Sequence, residues 1–215
     1  MKIFCVDLDK TLLSIDITEG TCDFVGIVEH LYNLNIIDSV KYPTFNSYAN
    51  DYYNRIDLND TSAYVMPYLI YNENQNKYIY KYWETTIQYF FNENIYSLIQ
   101  QKIKKGYKIW IVSASPYVYI EPILKYIDID KIVAVEPNQI ISFGIGKVNR
   151  LIELTDKKLC NIHGFVGNSW NNDGDLMTYL KNLNYKNKVY FKKNKRHLNK
   201  NICKNIHRYN IKIIK

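Results

Sequence analysis

Short apolar runs alternate with longer amphipathic segments along this chain of 215 residues. The apolar runs cover residues 3–6, 108–112, 132–135, 164–166 and 189–191. Each run is long enough for one strand that is buried on both faces, and helix-like segments separate the later runs. The pattern predicts an α/β fold, with a parallel sheet covered by crossover helices and functional residues at the carboxyl ends of the strands.

The long stretch between the first run and the second has a different texture, because it is rich in Tyr and Asn and shows no clear strand pattern. Helical candidates lie at residues 18–34, 48–55, 63–71 and 77–91, followed by an amphipathic helix at 93–105. No Pro- or Ser-rich linker flanks the stretch. We therefore expect a packed helical insertion over residues 15–95, on a core made of residues 1–14 and 96–215.

Composition and cysteine usage narrow the class of protein. Hydrophobic residues make up 47% of the chain, which is enough for a large core. Cys5, Cys22, Cys160 and Cys203 are scattered without a C-x-x-C pair, so we predict thiols rather than a zinc knuckle or a disulfide framework. The run at 3–6 is too short for a signal peptide or a membrane span, which predicts no transmembrane segment and a cytoplasmic location.

The net charge of +7 is concentrated towards the carboxyl terminus. No Asp or Glu follows Asp175, whereas basic residues recur from Lys181 to Lys215. A solvated basic face is the simplest interpretation, and a weak contact of this segment with an anionic surface or with nucleic acid is the alternative. No aromatic interleaving or recognised nucleic-acid module accompanies the charge, which disfavours nucleic acid.

Two carboxylates, Asp7 and Asp9, come directly after the first apolar run. Alternation along an extended chain would send both side chains the same way, and a turn after Asp7 would fan them around a shared centre. Close carboxylates disfavour joint ionisation, so a nearby cation is needed or one group must hold a proton. A divalent metal and phosphate chemistry both meet that requirement.

Three further elements bring polar groups to strand ends or helix starts. The second run ends at the hydroxyl of Ser113, and Pro116 then opens a helix whose amino terminus can hold an anion. Lys147 lies at the start of a helix expected at residues 148–154. The fourth run leads into residues 167–175, which form an acidic loop that contains glycine.

In their order and spacing these four elements resemble the haloacid dehalogenase superfamily, specifically its phosphoserine-phosphatase-like branch of aspartate-dependent phosphohydrolases. The likeness extends over nearly the whole chain. It implies a Rossmann-like core and a helical cap between the first and second motifs, which matches the insertion at 15–95. It also implies hydrolysis of a phosphomonoester, either a small phosphorylated metabolite or a lipid-linked phosphate.

The resemblance makes Asp7 the nucleophile that becomes an aspartyl phosphate. Asp9 would be the general acid for the departing alcohol and then the base for the incoming water. An ionised carboxylate can attack phosphorus at neutral pH, and Asp9 must hold a proton while Asp7 is charged. Ser113, Ala114 and Lys147 would bind the phosphate and stabilise a transition state whose main demand is electrostatic.

Magnesium is the implied cofactor, because a site built from Asp7, the carbonyl of Asp9 and the fourth loop offers only oxygen ligands. Asn168 departs from the family pattern, since an acid is common at that place and an amide oxygen brings no charge. Spacing favours Asp173 over Asp175 as the acidic ligand of the loop. The expected metal ligands are therefore Asp7, Asp9, Asn168 and Asp173.

Two other functions stay open. Asn168 favours a non-catalytic anion-binding protein that keeps the phosphatase fold. The opening Asp-Leu-Asp-x-Thr pattern also begins nucleic-acid end phosphatases and phosphoprotein phosphatases, although a large cap would roof the site and exclude macromolecules. Asp16, seven residues after Asp9, and Arg55 of the insertion are further candidates for contact with the substrate.

Overall fold

The protein, examined through a computed structural model, is described over residues 1–21, 24–155, 159–193 and 199–214. The strands are β1 Lys2–Val6, β2 Tyr107–Pro116, β3 Lys131–Val135, β4 Ile162–Gly167, β5 Lys188–Lys192 and β6 Lys212–Ile214. They form one sheet in the order β3-β2-β1-β4-β5-β6, and every neighbouring pair is parallel. The predicted α/β class with a parallel sheet is confirmed.

Helices cover both faces of this sheet. They are α1 Ile27–Asn33, α2 Phe45–Asp57, α3 Asn76–Thr85, α4 Glu93–Lys104, α5 Tyr117–Ile120, α6 Ile145–Leu154, α7 Trp170–Leu183 and α8 Lys200–Arg208. Shorter 3₁₀ segments lie at Thr61–Leu69, Glu73–Gln75, Ile87–Phe90, Glu121–Lys125 and Leu159–Asn161. Within the described ranges, no helix has both the length and the apolar composition to cross a bilayer.

The central strand β1 shows how the apolar runs produce the two layers. Ile3 and Cys5 point to the face covered by α6, α7 and α8, whereas Phe4 and Val6 point to the face covered by α4 and the helices before it. All four side chains are fully buried. A strand with both faces covered needs a continuous apolar run rather than an alternating one, which is the pattern in the sequence.

The residues between β1 and β2 fold as helices that pack onto the sheet. The chain leaves and re-enters the core through adjacent segments, because the N–H of Ser14 donates to the carbonyl of Phe90 (2.8 Å) and the N–H of Asn92 donates to that of Leu12 (2.8 Å). Apolar side chains of α1, α2 and α3 belong to the same hydrophobic cluster as Phe4 of β1. The division into a core and an insertion at residues 15–95 stays a prediction, and these adjoining segments lie close to its two ends.

The first helix of the insertion is shorter than predicted, because the pattern at 18–34 gives only α1. Asp16 Oδ1 accepts from the N–H groups of Thr18 (3.2 Å) and Glu19 (3.0 Å). These bonds close a turn at residues 16–19, where the pattern predicts the start of a helix. Gly20 has φ +79°, and a Cβ atom there would lie 2.6 Å from the carbonyl oxygen of Phe24. This tight turn requires glycine and delays the helix by a full turn or more.

Other differences have similar local causes. The segment predicted as a helix at 63–71 is a 3₁₀ helix that contains Pro67, which lacks the N–H needed for a longer α-helix. The sequence pattern did not reveal α8 or the edge strand β6, which has only three residues. Cys5 and Cys203 carry free thiols, as predicted. Cys22 and residues 194–198 of the basic segment lie outside the described residues.

Candidate active site

A cavity of about 240 Å³ opens at the carboxyl ends of β1, β2 and β4, between the sheet and the helical residues that lie between β1 and β2 in the chain, which we call the insertion. The sheet side contributes Asp7, Asp9, Lys10, Ala114, Ser115, Pro116, Phe143, Asn168, Ser169 and Asn172, and the insertion side contributes Asp16, Thr18, Glu19, Tyr52, Tyr64 and Pro67. Strands β2 and β4 flank β1. After β2 the chain continues to β3 on one side of the sheet, and after β4 it continues to β5 on the other side. The cavity therefore lies at the point where the strand order reverses, which is where open α/β sheets bind ligands.

Asp7 is the first residue after β1 and is fixed from three sides. Its N–H continues the sheet to the carbonyl of Val166 (2.9 Å), Oδ1 accepts from Lys147 Nζ (2.8 Å), and Oδ2 accepts from Thr11 Oγ1 (2.8 Å). Burial, reinforced by the charge of Asp173, raises the pKa of Asp7 to about 6, while Lys147 and Thr11 oppose that rise. The carboxylate is therefore mostly ionised at neutral pH and has a single orientation.

Asp9 has different surroundings from Asp7. Its Oδ2 accepts from Ser115 Oγ (2.6 Å) and, in a longer contact, from Ser113 Oγ (3.4 Å), and Oδ1 accepts from the N–H of Ile17 (2.8 Å). Burial, reinforced by the charge of Asp16, raises the pKa of Asp9 to about 8, although the hydrogen bond from Ser115 acts in the other direction. The side chain is therefore mainly protonated at neutral pH.

The turn that joins the two acids is held in an uncommon backbone conformation. Lys10 has φ 57°, and left-handed backbone costs a residue other than glycine on the order of 1 kcal/mol. Its N–H donates to the carbonyl of Ile15 (2.9 Å), and its carbonyl accepts from Lys192 Nζ of β5 (2.7 Å). An ion pair of Lys10 with Asp16 (3.0 Å) ties the turn to the start of the insertion. These contacts offset the conformational cost and direct Asp9 into the cavity.

Lys147 lies in the first turn of α6 and links two carboxylates behind the cavity. Its Nζ is 2.8 Å from Asp7 Oδ1 and 2.6 Å from Asp173 Oδ1, and the side chain is fully buried. Burial by itself would lower the pKa of Lys147, but the charges of Asp173 and Asp7 outweigh it and raise that pKa. Asp173 Oδ2 accepts from the N–H groups of Asn168 and Ser169 (3.0 Å each), which fixes the loop after β4.

The oxygen atoms on the β4 side of the cavity fit a magnesium ion. Asn168 lines the cavity, and so does Asn172, whose Oδ1 is buried without a hydrogen-bond partner. Both oxygens of Asp173 already have N–H or ammonium partners, and Asp175 is exposed. Among the described residues, no group of three or more His, Cys, Asp or Glu side chains is arranged to hold a metal. Amide and carbonyl oxygens beside Asp7 are hard ligands, so the donor type suits Mg²⁺ although the charge of the set is low.

The predicted phosphate-binding residues do not all face the cavity. Ala114 lines it, whereas Ser113 is fully buried, and its Oγ accepts from the N–H of Ser115 (3.0 Å) in addition to its contact with Asp9. Ser115, which the sequence interpretation passed over, makes the shortest contact with Asp9. Its position two residues after Ser113 on an extended strand is the signal that could have identified it, since alternate side chains point the same way.

Side chains of the insertion that carry no sequence signal form the opposite wall. Tyr52 OH donates to Glu19 Oε1 (2.9 Å), and the ring of Tyr64 stacks on Phe143 of the core with centroids 5.0 Å apart. Asp16, one of the two further candidates, lines the cavity. Arg55, the other candidate, forms ion pairs with Asp51 and Asp60 and does not line the cavity.

The family of the chain follows from a sequence comparison. The model of the family described as haloacid dehalogenase-like hydrolase matches residues 4–157, which is most of the chain. The chain therefore belongs to the haloacid dehalogenase-like hydrolases, and the superfamily predicted from its four motifs is confirmed. None of the curated proteins is significantly similar to it in sequence.

Solved structures share the fold over nearly the full length. A Bordetella pertussis protein with unknown function has a TM-score of 0.74 at 14% identity, over 100% of this chain and 98% of that one. A phosphoserine phosphohydrolase-like protein from Francisella tularensis has a TM-score of 0.53 at 16% identity, over 90% of this chain and 88% of that one. A predicted phosphatase from Clostridium acetobutylicum has a TM-score of 0.52 at 13% identity, over 100% of this chain and 93% of that one. At these identities the likeness establishes the fold.

Proposed function

We propose that the protein is a magnesium-dependent phosphomonoesterase that transfers the phosphoryl group of a small phosphorylated substrate to Asp7 and then to water. Family membership supports a hydrolase, and two of the similar folds carry the names phosphoserine phosphohydrolase-like protein and predicted phosphatase. The reaction, the cofactor and the residue roles are inferred from the site.

The observation that carries the proposal is the contrast between the two acids of the opening turn. Asp7 has a pKa of about 6 and lies against an ammonium group, whereas Asp9 has a pKa of about 8 and is held by hydroxyl and N–H donors. At neutral pH one is a nucleophile and the other a proton donor. Phosphoryl transfer through a carboxylate requires that pair of protonation states.

In the first step Asp7 attacks phosphorus while Asp9 donates its proton to the departing oxygen. Lys147 keeps Asp7 oriented and neutralises negative charge at the attacking group. Asp9 then removes a proton from the water that attacks the phosphorylated Asp7, which restores both acids to their starting states. Each step uses a group whose position is already fixed in the fold.

Magnesium would be held by Asp7, the carbonyl of Asp9 and Asn168, with the unpaired Oδ1 of Asn172 as a further donor. When bound, it supplies positive charge that offsets the charge of the phosphoryl oxygens. Asp173 stays the predicted acidic member of this set. Asp173 is fully buried and does not line the cavity, so we expect it to act mainly by holding that loop and Lys147.

The shape of the cavity favours a small substrate. It holds about 240 Å³, and the insertion covers it with Tyr52, Tyr64 and Pro67. A phosphate on a protein or at a nucleic-acid end would have to displace this roof. A small phosphorylated metabolite fits beneath it, which disfavours the nucleic-acid and phosphoprotein alternatives.

Turnover of p-nitrophenyl phosphate with Mg²⁺ tests the proposal. We expect purified protein to hydrolyse it, and Asp7→Asn to lose at least about 10⁴-fold in turnover, because an amide cannot replace the nucleophile. The matched control is Asp175→Asn, which removes an exposed acid of the same site region and should retain the parental rate. An Asp7→Asn protein that keeps half of the parental turnover would disprove the assignment.

A non-catalytic anion-binding protein is the second candidate, and the neutral Asn168 in the cavity is the observation in its favour. It predicts binding of inorganic phosphate without turnover of any phosphate ester, with or without Mg²⁺. The same panel of substrates therefore decides between the two functions.

A further inference from the structure

A group of lysines lies at the amino ends of the strands, on the opposite edge of the sheet from the active-site cavity. We call Lys2, Lys102, Lys105, Lys188 and Lys212 the lysine edge. Lys2, Lys188 and Lys212 are the first residues of β1, β5 and β6, and the other two lie at the end of α4, which leads into β2. Because the strands are parallel, their amino ends meet at one edge.

The amines of the lysine edge repel one another around Lys102. Lys102 Nζ lies over the rings of Phe4 (4.6 Å) and Tyr107 (5.1 Å), which hold it in place without neutralising it. Burial, together with the charges of Lys105, Lys188 and Lys212, lowers the pKa of Lys102. Among the described residues, none of the five amines forms an ion pair with a carboxylate. Over the described part of the chain, the edge is therefore a positive surface without a paired carboxylate.

An exposed apolar tip adjoins the lysine edge where α7 passes into β5. We define the apolar tip as Leu183, which is 44% exposed, and Tyr185, which is 74% exposed. Lys181 Nζ donates to the carbonyls of Tyr185 (2.8 Å) and Asn187 (3.0 Å), so a buried amine braces the loop that carries the tip. Tyr185 lies three residues before Lys188, the first residue of β5, so the tip adjoins the edge.

We propose that the lysine edge and the apolar tip form a docking surface for an anionic phospholipid membrane. Lysines near such a surface are attracted to its headgroups, and tyrosine is favoured at the boundary between headgroups and acyl chains. The braced loop presents the tip with little loss of conformational freedom on binding. Docking through the amino ends of the strands leaves the cavity, at their carboxyl ends, facing water and open to a small substrate.

Nucleic acid is the less suitable polyanion for this surface. The five charges of the lysine edge are ammonium groups, which lack the fixed bidentate geometry by which arginine binds phosphate and base edges, and Arg208, four residues before Lys212, lies over the ring of Tyr209 (5.4 Å). The rings of Phe4 and Tyr107 lie beneath Lys102 rather than open to a base, and Phe4 is fully buried, whereas the exposed ring of Tyr185 belongs to the apolar tip. Charge with a projecting apolar tip instead matches a membrane surface, where both features contribute to binding.

Sedimentation of the 215-residue protein with vesicles tests the proposal. We expect binding to phosphatidylcholine vesicles that contain about one third phosphatidylserine, and little binding to phosphatidylcholine alone. Raising the salt from about 0.05 M to about 0.5 M should release most of the protein, because screening weakens the attraction between exposed charges.

Two variants separate the lysine edge from the tip. Lys105→Glu/Lys188→Glu/Lys212→Glu should lower the partition coefficient at least about 100-fold, since each lysine contributes roughly a factor of five near such a surface. Leu183→Ser/Tyr185→Ser should weaken binding about tenfold and leave its salt dependence in place. The matched control is Lys41→Glu/Lys77→Glu/Lys125→Glu, which makes the same change in net charge at exposed lysines outside the lysine edge.

Equal loss of binding in the control triple variant would show that only net charge matters and would overturn the site. Tighter binding to an RNA duplex than to the anionic vesicles would also overturn it. Circular dichroism of each variant identifies any protein that fails to fold. If the triple lysine variant does not fold, the tip variant, which keeps every lysine, tests the docking surface instead. Hydrolysis of p-nitrophenyl phosphate should be unchanged in all three variants, so the result does not depend on the proposed reaction.

Discussion

Asp7 and Asp9 differ only in the groups that their side chains contact. Asp7 accepts hydrogen bonds from the ammonium group of Lys147 and the hydroxyl of Thr11. Asp9 accepts hydrogen bonds from Ser115 Oγ and the N–H of Ile17. Burial raises the pKa of both, but the amine beside Asp7 limits the rise there. The order of the two pKa values therefore depends on partners that come from β2, α6 and the insertion, rather than on the Asp-Leu-Asp sequence itself.

The pH dependence of kcat/KM for an alkyl phosphate should follow these two groups. Activity should fall towards acid pH, where Asp7 gains a proton, and above about pH 8, where Asp9 loses its proton. Ser115→Ala removes a donor that lowers the pKa of Asp9, so the alkaline limb should move to higher pH while the acid limb stays in place. Ser97→Ala, at an exposed position of α4, is the control. An alkaline limb that stays or moves down in Ser115→Ala would contradict the role of Asp9.

Some of these residues could be predicted from sequence and others could not. Asp7 and Asp9 adjoin an apolar run, and Lys147 opens a helix, so each has a local signature. Ser115, Tyr64 and Phe143 have none, because their place in the site depends on how β2 ends and on how the insertion packs against the core. Long-range packing of this kind is not encoded in a short window of sequence.

At the scale of elements, the loop between β4 and α7 and the start of α6 form one polar unit. Asp173 accepts two N–H groups of the loop and the amine of Lys147, and Ser169 Oγ accepts from the N–H of Asn172 (3.3 Å) to begin α7. Apolar runs predicted five of the six strands, since each is buried on both faces. Helix starts were harder to predict, because Gly20 and Pro67 change the backbone within otherwise helical patterns.

Asp173→Asn tests whether this unit is structural as well as functional. Removing the charge leaves Lys147 with one carboxylate in a fully buried site, so we expect the free energy of unfolding to fall by about 3 kcal/mol. Urea unfolding followed by circular dichroism measures it. Asp175→Asn removes an exposed acid two positions away and should stay within about 0.5 kcal/mol of the parent. Equal effects of the two substitutions would rule out the buried network as the cause.

At the scale of the whole molecule, the insertion and the sheet share hydrogen bonds as well as a hydrophobic cluster. Tyr68 OH donates to the carbonyl of Val135 (2.7 Å) and accepts from the N–H of Tyr117 (3.0 Å). The same 3₁₀ segment carries Tyr64, which lines the cavity. One tyrosine therefore connects the roof of the site to the ends of β2 and β3.

Tyr68→Phe should loosen this connection. It leaves a carbonyl and an N–H without their partner, at a cost of about 1–3 kcal/mol for each group that stays buried. Hydrogen exchange should accelerate in the 3₁₀ segment at Thr61–Leu69, and KM should rise more than kcat falls because the roof positions the substrate. Tyr89→Phe, at a site that is 76% exposed, should change neither quantity. Unchanged exchange in Tyr68→Phe would show that packing alone holds the insertion.

The central claim is that Asp7 carries the phosphoryl group during turnover. It is tested most directly by adding p-nitrophenyl phosphate and Mg²⁺ to Asp9→Asn protein, quenching in acid and mapping the phosphorylated peptide by mass spectrometry. Loss of the base should slow attack by water, so a phosphoryl group should accumulate on Asp7, with a matching burst of p-nitrophenolate. A phosphoryl group found on any other side chain, or steady turnover without a labelled protein, would contradict the account.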